Sequence, residues 1–190
     1  MRDLPPISVD LDGVVVRPPF GLNVTISRSV GRPLLGAELR EPSARVSRLR
    51  ALLEIGRFGF RRPLPGVREA LADLATLRTV HILSARSHTG RRTTERWLDR
   101  QGLLPHIAAV HLSPGGVPAR HFKLRTVQAL GIDEHVDDDP GTADYLARHA
   151  GVTVYLCDWP RSRGLDFPKG VVRVEDLAGA VRALSGASDP

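Results

Sequence analysis

Residues 7–16 read Ile-Ser-Val-Asp-Leu-Asp-Gly-Val-Val-Val, which is the composition of a buried β-strand apart from two carboxylates and a glycine. An unpaired buried charge is costly, and two that lie close together are costlier. Side chains two residues apart on a strand point the same way, so Asp10 and Asp12 are predicted to lie together at the strand end. Gly13 lets the backbone turn sharply there or approach a ligand.

Two adjacent carboxylates repel each other unless a cation lies between them or one of them is protonated. Mg²⁺ is the cation that the pattern favours, because it prefers oxygen ligands and often couples carboxylates to the phosphates of a substrate. The stretch therefore predicts either a magnesium site at the end of the first strand or an exposed strand end with a turn.

The length and composition indicate a single globular domain, or one domain with a modest insertion. The chain has 190 residues, of which 42% are hydrophobic, so a true core is expected. We expect no membrane-spanning helix, since no run of about 18 apolar residues is present. We also expect no signal peptide, since the N-terminus leads directly into the first predicted strand without an apolar h-region or a small-residue cleavage site. A single cysteine, Cys157, excludes an internal disulfide and favours a cytoplasmic protein.

The basic residues are unusual in kind and in distribution. All but two of the 27 basic residues are arginine, and the two lysines are Lys123 and Lys169. Lysine at position 123 is notable because the two residue types are not interchangeable in a tight site. Residues 17–62 hold ten Arg and three Glu, a net charge of +7, against +6 for the whole chain. This segment predicts either attraction to phosphate-bearing partners or a solvated helical face.

Short apolar runs alternate with stretches of helical period, which predicts βαβ units and a parallel sheet. The predicted strands are Ile7–Asp10, Thr79–Leu83, Ile107–His111, His135–Asp137, Val152–Cys157 and Val171–Val174. Helical spacing follows in Val67–Leu77 and in Leu177–Leu184. Residues 17–62 interrupt the alternation and are predicted to be a small helical insertion. The predicted core is thus 1–16 and 63–185, with a disordered tail at 186–190.

Three further polar groups follow predicted strands or lie on a predicted helix. Together with the first strand end they form an ordered set, which is Asp10/Asp12/Gly13, Ser84, Lys123 and Asp137/Asp138. This set resembles the motifs of the haloacid dehalogenase-like hydrolase superfamily, and the resemblance covers all of the chain except the insertion. It implies an α/β fold: a three-layer α/β/α sandwich with a parallel, Rossmann-like sheet and a small helical cap inserted after the first strand.

The resemblance also implies a role for each motif residue. Asp10 is the expected nucleophile, which forms an aspartyl-phosphate. Asp12 is the expected general acid for the leaving oxygen and then the base for water. Ser84 is expected to hydrogen-bond a phosphoryl oxygen, and Lys123 to stabilise the charge that develops during transfer. The expected metal ligands for Mg²⁺ are Asp10, Asp12, Asp137 and Asp138, and the expected substrate contacts are Leu11, Gly13, Ala85 and Arg86.

Local chemistry divides the three consecutive aspartates at 137–139. Asp139 precedes Pro140, and proline favours the first position of a helix, so Asp139 is predicted to be the helix N-cap. Asp137 and Asp138 remain for the metal, and Asp138 is the better candidate for direct ligation. The alternative is an acidic surface loop.

Shorter patterns resemble particular branches of the superfamily. Ser84-Ala85-Arg86 followed by residues 94–98 resembles 5′-nucleotidase-like and polynucleotide-phosphatase-like members, and Leu156–Arg161 resembles a segment of nucleotidase-like members. Arg86 is expected either to touch substrate phosphate or, as we favour, to tie the second strand's loop to the Asp137/Asp138 pair. Trp97 is expected in the core. Within the cap, candidates for substrate contact are Arg17, Arg28, Arg32, Arg45, Arg48, Phe20 and Asn23.

The leading hypothesis is a Mg²⁺-dependent phosphatase that hydrolyses a phosphate monoester of a nucleotide or another small phosphorylated metabolite. One alternative is a phosphatase acting on a polynucleotide end, which the +7 insertion motivates. Another is a nucleic-acid-binding module without activity on the same fold, although four clustered carboxylates are unexpected in such a module. A P-loop, a G-x-S-x-G elbow and a zinc pattern are all lacking from the sequence.

Overall fold

The computed structural model describes residues 4–17, 61–162 and 164–186, with Arg161 described by its backbone alone. Within these ranges, strands and helices alternate as the sequence predicts. The strands are β1 Pro6–Val9, β2 Thr79–Ser87, β3 Ala109–Ser113, β4 Glu134–Asp137, β5 Thr153–Cys157 and β6 Val171–Val174. The α-helices are α1 Val67–Leu77, α2 Arg91–Arg100, α3 Ala119–Leu130, α4 Pro140–Ala150 and α5 Leu177–Gly186. The predicted α/β architecture is therefore confirmed.

The six strands form one parallel sheet in the order β3-β2-β1-β4-β5-β6. The chain runs outward from β1 in one direction and, after β3, outward from β4 in the other. The point at which this order reverses lies between β1 and β4, and ligands of open α/β sheets bind at that point, outside the carboxyl ends of the strands. Both aspartate motifs follow these two central strands.

Apolar side chains cover both faces of the sheet in two separate clusters. One cluster joins Ile7 and Val9 of β1 to α1, α2 and α5, and the other joins Leu83 and Leu156 to α3 and α4. Because side chains alternate along a strand, Ser8 turns toward the α3/α4 face, away from Ile7 and Val9. The sheet is thus a buried middle layer between two helical layers.

The two ends of the predicted insertion lie side by side. Arg17 donates its backbone N–H to the carbonyl of Arg62 at 3.1 Å, and Val16 forms a bridge with Pro63. Residues 18–60 lie outside the described residues, and with them the predicted cap contacts Arg28, Arg32, Arg45, Arg48, Phe20 and Asn23. The segment therefore leaves and re-enters the core at one place, close to the end of β1.

The C-terminal boundary differs slightly from the prediction. The sequence predicts a tail from residue 186, whereas α5 continues through Gly186, and residues 187–190 lie outside the described ones. Among the described residues, no helix has both the length and the apolar character needed to cross a bilayer.

Asp139 caps the N-terminus of α4, as the sequence predicts. Its side chain accepts hydrogen bonds from the backbone N–H and from the hydroxyl of Thr142, both at 2.8 Å, and Pro140 occupies the first helical position. The cap orients the loop that carries Asp137 and Asp138, since it fixes where that loop enters the helix.

Replacing this cap should weaken folding. We expect Asp139→Ala to lower the free energy of unfolding by about 1 kcal/mol, because it removes the acceptor of the Thr142 N–H. Urea denaturation measures the change. The control is Asp144→Ala on the same helix, which removes only the exposed pair with Arg148 and should cost about 0.3–0.5 kcal/mol. Equal losses in the two variants would contradict the capping role.

Candidate active site

Three carboxylates meet at the carboxyl ends of β1 and β4. Each of Asp10, Asp137 and Asp138 offers an oxygen that lies within 4.8 Å of the oxygens offered by the other two, and all three residues are buried. The backbone N–H of Asp10 donates to the carbonyl of Val136 at 2.8 Å, which extends the β1–β4 ladder into the site. The two central strands therefore hold these carboxylates together.

Lys123 supplies the opposite charge from α3. Its ammonium lies 2.8 Å from Oδ1 of Asp10 and 2.7 Å from Oδ2 of Asp137, and its side chain is only 4% exposed. Burial would lower the pKa of Lys123, but the two carboxylates outweigh that effect and raise it. The lysine is therefore a fixed positive charge between two strands.

Burial raises the pKa of Asp10 to about 7, and the charges of Asp137 and Asp12 add to the effect while Lys123 opposes it. One ammonium does not compensate the whole acidic group. At neutral pH, the carboxyl group of Asp10 is thus about half protonated unless a further cation approaches.

Asp137 has a different environment, with both oxygens hydrogen-bonded. Its Oδ2 accepts from Lys123 at 2.7 Å and from His135 at 2.9 Å, and its Oδ1 accepts from the backbone N–H groups of Asp138 and Asp139. Burial alone would raise the pKa of Asp137, but Lys123 and His135 hold it well below its usual range. These bonds occupy the oxygens of Asp137 and support the expectation that Asp138 is the more direct metal ligand.

The group of three carboxylates that could hold a metal does not include Asp12, whose predicted share in the metal site stays a prediction. The strand ends at Val9, so the alternation expected of a strand does not extend to residue 12. The carboxylate of Asp12 is 41% exposed and forms ion pairs with Arg61 at 2.6 Å and Arg86 at 2.5 Å. Burial would raise the pKa of Asp12, but Arg86 and Arg61 lower it.

Arg86 ties the second strand to Asp12 of the first aspartate motif. Its Nε and Nη2 donate to the two oxygens of Asp12, a bidentate arrangement that suits the planar guanidinium. The expected tie between Arg86 and Asp137/Asp138, and the alternative contact of Arg86 with substrate phosphate, stay predictions. Arg61, near the C-terminal end of the predicted insertion at 17–62, is a second partner of Asp12 that sequence reasoning missed.

Gly13 forms the predicted turn, with a positive φ of 87°. Its N–H donates to the carbonyl of Val16 at 3.0 Å, and its carbonyl accepts from the indole of Trp159 at 3.2 Å. The carbonyl of Leu11 accepts from Val15 and Val16, and its side chain lies in the core. These bonds explain the turn but do not show how a substrate would be bound. The substrate contacts expected of Leu11 and Gly13 therefore stay predictions.

Ser84 lies on β2, next to β1. It follows Ile82, the partner of Val9, by two residues, and it is 2% exposed. Ala85 is exposed at the same edge. The roles expected of both in binding phosphate stay predictions. Trp97 lies in the core, as expected, and its indole donates to the carbonyl of Arg61 at 3.0 Å.

Two further buried polar residues beneath the site escaped sequence reasoning. Ser8 on β1 and His135 on β4 are both 0% exposed, and the hydroxyl of Ser8 lies 2.8 Å from Nδ1 of His135. Strands covered on both faces are usually continuous apolar runs, so a serine and a histidine within them were a usable signal. Arg61 gave no such signal, because its partner is 49 positions away in the chain.

The donor set suits a hard divalent cation. Octahedral Mg²⁺ with bonds of about 2.1 Å places neighbouring ligand oxygens about 3 Å apart and opposite ones about 4 Å apart. The oxygens offered by Asp10, Asp137 and Asp138 lie within 4.8 Å of one another, so small side-chain movements would bring them to these separations. The residues present therefore fit such an ion.

Comparisons with known proteins agree with this architecture. No family model matches the chain. In sequence, the chain is 29% identical over 106 residues to a Bacillus subtilis (strain 168) protein named "Putative nucleotidase YqfW". That match covers 56% of this chain and spans half, 50%, of the length of the relative.

Solved structures with the same fold cover nearly the whole chain. A HAD phosphatase from Thermococcus onnurineus has a TM-score of 0.57 at 16% identity, covering 96% of this chain and 99% of that one. An L-2-haloacid dehalogenase from Xanthobacter autotrophicus has a TM-score of 0.57 at 14% identity, covering 97% and 100%. The chain therefore has the haloacid dehalogenase-like fold, as its motifs predict.

The raised pKa of Asp10 predicts a pH-dependent stability without metal. The folded protein holds this proton up to about pH 7, whereas the unfolded chain releases it near pH 3.8, so stability is lost as pH rises between these values. We expect Asp10→Asn to gain about 1 kcal/mol per pH unit relative to wild type between pH 5 and 7. Urea denaturation in EDTA measures this gain, and parallel pH curves for the two proteins would contradict it.

Proposed function

We propose that this protein is a Mg²⁺-dependent hydrolase of phosphate monoesters that acts through an aspartyl-phosphate on Asp10. The observation that carries the proposal is the buried meeting of Asp10, Asp137 and Asp138 with Lys123 at the reversal point of the sheet. A structural role alone does not call for three buried carboxylates around one ammonium, because the net charge is uncompensated.

In this proposal each residue has a definite task. A carboxylate oxygen of Asp10 bonds to phosphorus as the bond from phosphorus to the leaving oxygen breaks. Lys123 keeps Asp10 aimed and offsets charge on the phosphoryl oxygens, and Ser84 donates its hydroxyl to one of them. Asp10 and Asp138, supported by Asp137, would hold Mg²⁺, which would supply positive charge to the phosphate. Water then attacks phosphorus and releases Asp10 with inorganic phosphate.

Asp12 is the proposed proton carrier, and its surroundings favour one half of that role. Arg86 and Arg61 stabilise the ionised carboxylate, which suits a base that activates water. Protonating a leaving oxygen requires Asp12 to hold a proton, so the arginine pairs must loosen when a substrate binds. Substrates with easily expelled leaving groups depend least on that step.

The proposed substrates are nucleotides or other small phosphorylated metabolites in the cytoplasm. The relative named as a nucleotidase supports a nucleotide, although the match spans only half of that relative. Because a dehalogenase has the same fold, a 2-haloacid must also be tested, and we expect it not to react. Because residues 17–62 carry a net charge of +7, a 3′-phosphorylated oligonucleotide is the alternative substrate to test.

The direct test is hydrolysis of p-nitrophenyl phosphate with Mg²⁺ and with EDTA. We expect EDTA to abolish turnover, and Asp10→Asn to lower kcat by at least about 10³-fold, because the nucleophile is lost. The matched control is Asp133→Asn, the same substitution at an exposed residue just before β4. Activity in Asp10→Asn equal to that of the control, or full activity in EDTA, would remove the proposal.

A substrate panel identifies the leaving group. We expect kcat/KM to be higher for nucleoside monophosphates than for sugar phosphates, and no chloride release from 2-chloropropionate. Turnover greatest on a 3′-phosphorylated oligonucleotide would support the polynucleotide-end alternative. Salt-dependent binding of the oligonucleotide with no turnover of any ester would support the non-catalytic module.

A further inference from the structure

The chain contains two tryptophans, and each donates its indole N–H to backbone that adjoins Asp12. Nε1 of Trp159, which follows β5, lies 3.2 Å from the carbonyl oxygen of Gly13, the residue after Asp12. Nε1 of Trp97, on α2, lies 3.0 Å from the carbonyl oxygen of Arg61. The side chain of Arg61 in turn pairs with Asp12. The two indoles therefore bond to two chain segments that meet at the Asp12 carboxylate.

We propose that Trp97 and Trp159 are positioning residues of the active site that orient the carboxylate of Asp12. Trp97 acts through the backbone of Arg61, and Trp159 acts through the backbone of Gly13. This inference rests on the proposed function for its kinetic consequence, because Asp12 is the proton carrier there, but not for its structural one.

The direction of both hydrogen bonds is fixed by the groups that form them. An indole N–H can only donate, and a backbone carbonyl can only accept. A buried indole usually finds some acceptor, and most carbonyls inside a domain belong to helices or sheets. Gly13 and Arg61, however, belong to no helix and to no strand of the sheet. The indoles therefore fix backbone that the sheet ladder does not reach.

Trp159 acts on the turn that carries Asp12. Gly13 has a φ of 87°, and its N–H donates to the carbonyl of Val16, which closes the turn on one side. The carbonyl of Gly13 is held on the other side by the indole, whose ring packs against the core cluster of Ile7 and Val9. Loss of the indole N–H would free this peptide group and loosen the turn directly after Asp12.

Trp97 acts on one of the two arginines that hold Asp12. The ring of Trp97 is 1% exposed in the core, so the position of its N–H is well defined. Nη1 of Arg61 lies 2.6 Å from Oδ1 of Asp12. Because the indole fixes the backbone from which this long side chain extends, it limits where the guanidinium can lie. Arg86 approaches the same carboxylate from β2, so the two arginines hold it from different segments.

A purely structural role of the tryptophans predicts a different result from a positioning role. Loss of packing alone would affect the hydrolysis of all phosphate esters alike. A displaced Asp12 would matter most where the leaving oxygen needs a proton. General acid catalysis contributes about 10²–10⁴-fold, and a misplacement of about 1 Å can cost about 10²-fold. A comparison of leaving groups therefore separates the two roles.

The kinetic test compares phenyl phosphate with p-nitrophenyl phosphate, both with Mg²⁺, by kcat/KM, which reports the step in which the leaving oxygen departs. Trp159→Phe keeps an aromatic ring and removes the N–H. We expect it to lower kcat/KM by about 10-fold or more for phenyl phosphate, but by less than about 3-fold for p-nitrophenyl phosphate. Trp97→Phe should show the same difference. Equal losses for the two esters, or no loss for either, overturn the kinetic claim.

The structural test needs no turnover and uses nitrogen NMR of the isotopically labelled full chain in EDTA. The Nε–H of Arg86 donates to Asp12, and its signal is assigned by its loss in Arg86→Lys. We expect this N–H to exchange with water at least about 3-fold faster in Trp97→Phe and in Trp159→Phe than in wild type, because its acceptor is less fixed. Unchanged exchange in either variant overturns the role of that tryptophan, whether or not the protein hydrolyses any ester.

Two controls separate positioning from stability and from ring size. Thr79→Val removes another side-chain bond to a backbone carbonyl, that of Leu4 at 2.9 Å, where β2 begins at the opposite end of the sheet. It should change neither the ratio of the two kcat/KM values nor the exchange of the Arg86 N–H, and an equal change there would contradict the proposal. Benzothienylalanine at position 159 keeps the two-ring shape and replaces the N–H by sulfur. It should reproduce Trp159→Phe, and wild-type behaviour would overturn the role of the N–H.

The outcomes for this proposal and for the proposed function are distinguishable. Should the buried Trp97→Phe fail to fold, Trp159 is only partly buried and its variants carry both tests. A wild type that hydrolyses neither ester defeats the proposed function, and the exchange rates still decide whether the indoles position Asp12.

Discussion

The contact of Lys123 with Asp10 and Asp137 is the interaction on which the rest of the site depends. Removing ions from water costs several kcal/mol each, and the attraction between them repays that cost only in good geometry. Distances of 2.7 and 2.8 Å to two carboxylates provide it. One ammonium among three carboxylates still leaves a negative surplus. A proton on Asp10 or a divalent cation relieves this surplus, so the two compete for the same place.

The fold makes this contact possible by converging three distant segments. Parallel strands end at one edge of the sheet, so β1 and β4 bring residues 10 and 137–138 together. The helix α3 packs on the same face as the alternating side chains of Ser8, His135 and Asp137, which places Lys123 above them. The polar groups therefore share one face, while Ile7, Val9 and Val136 carry the apolar packing on the other.

Much of this was predictable from sequence because the information is local. Alternation of apolar runs gave the strand bounds to within about two residues, except that β2 runs past the predicted Leu83 to Ser87. Asp139 followed by Pro140 gave the helix cap. The convergence of Asp10, Lys123 and Asp137/Asp138 followed from the family resemblance. The partners of Asp12 could not be predicted from sequence. The strand alternation stops at Val9, so it does not give the direction of the Asp12 side chain. Arg61 is distant from Asp12 in the chain, and no local pattern indicates that the two meet. Ser8 and His135 were visible as polar residues in buried strands, but their mutual contact depends on the register of β1 with β4.

The two aspartates of the first motif show what a bound substrate must change. Burial raises the pKa of Asp10, while Arg86 and Arg61 lower that of Asp12, so without ligands the proposed nucleophile holds a proton more readily than the proposed acid does. Environments that push two carboxyl pKa values apart commonly assign acid and base roles. The proposed reaction needs the opposite order of pKa values, with Asp10 ionised and Asp12 protonated. A divalent cation beside Asp10 favours its ionised form, and a phosphate dianion that draws the arginines away from Asp12 favours its protonated form. Under the proposed function, metal and substrate together therefore reverse the order, and the site is prepared for transfer only when both are bound.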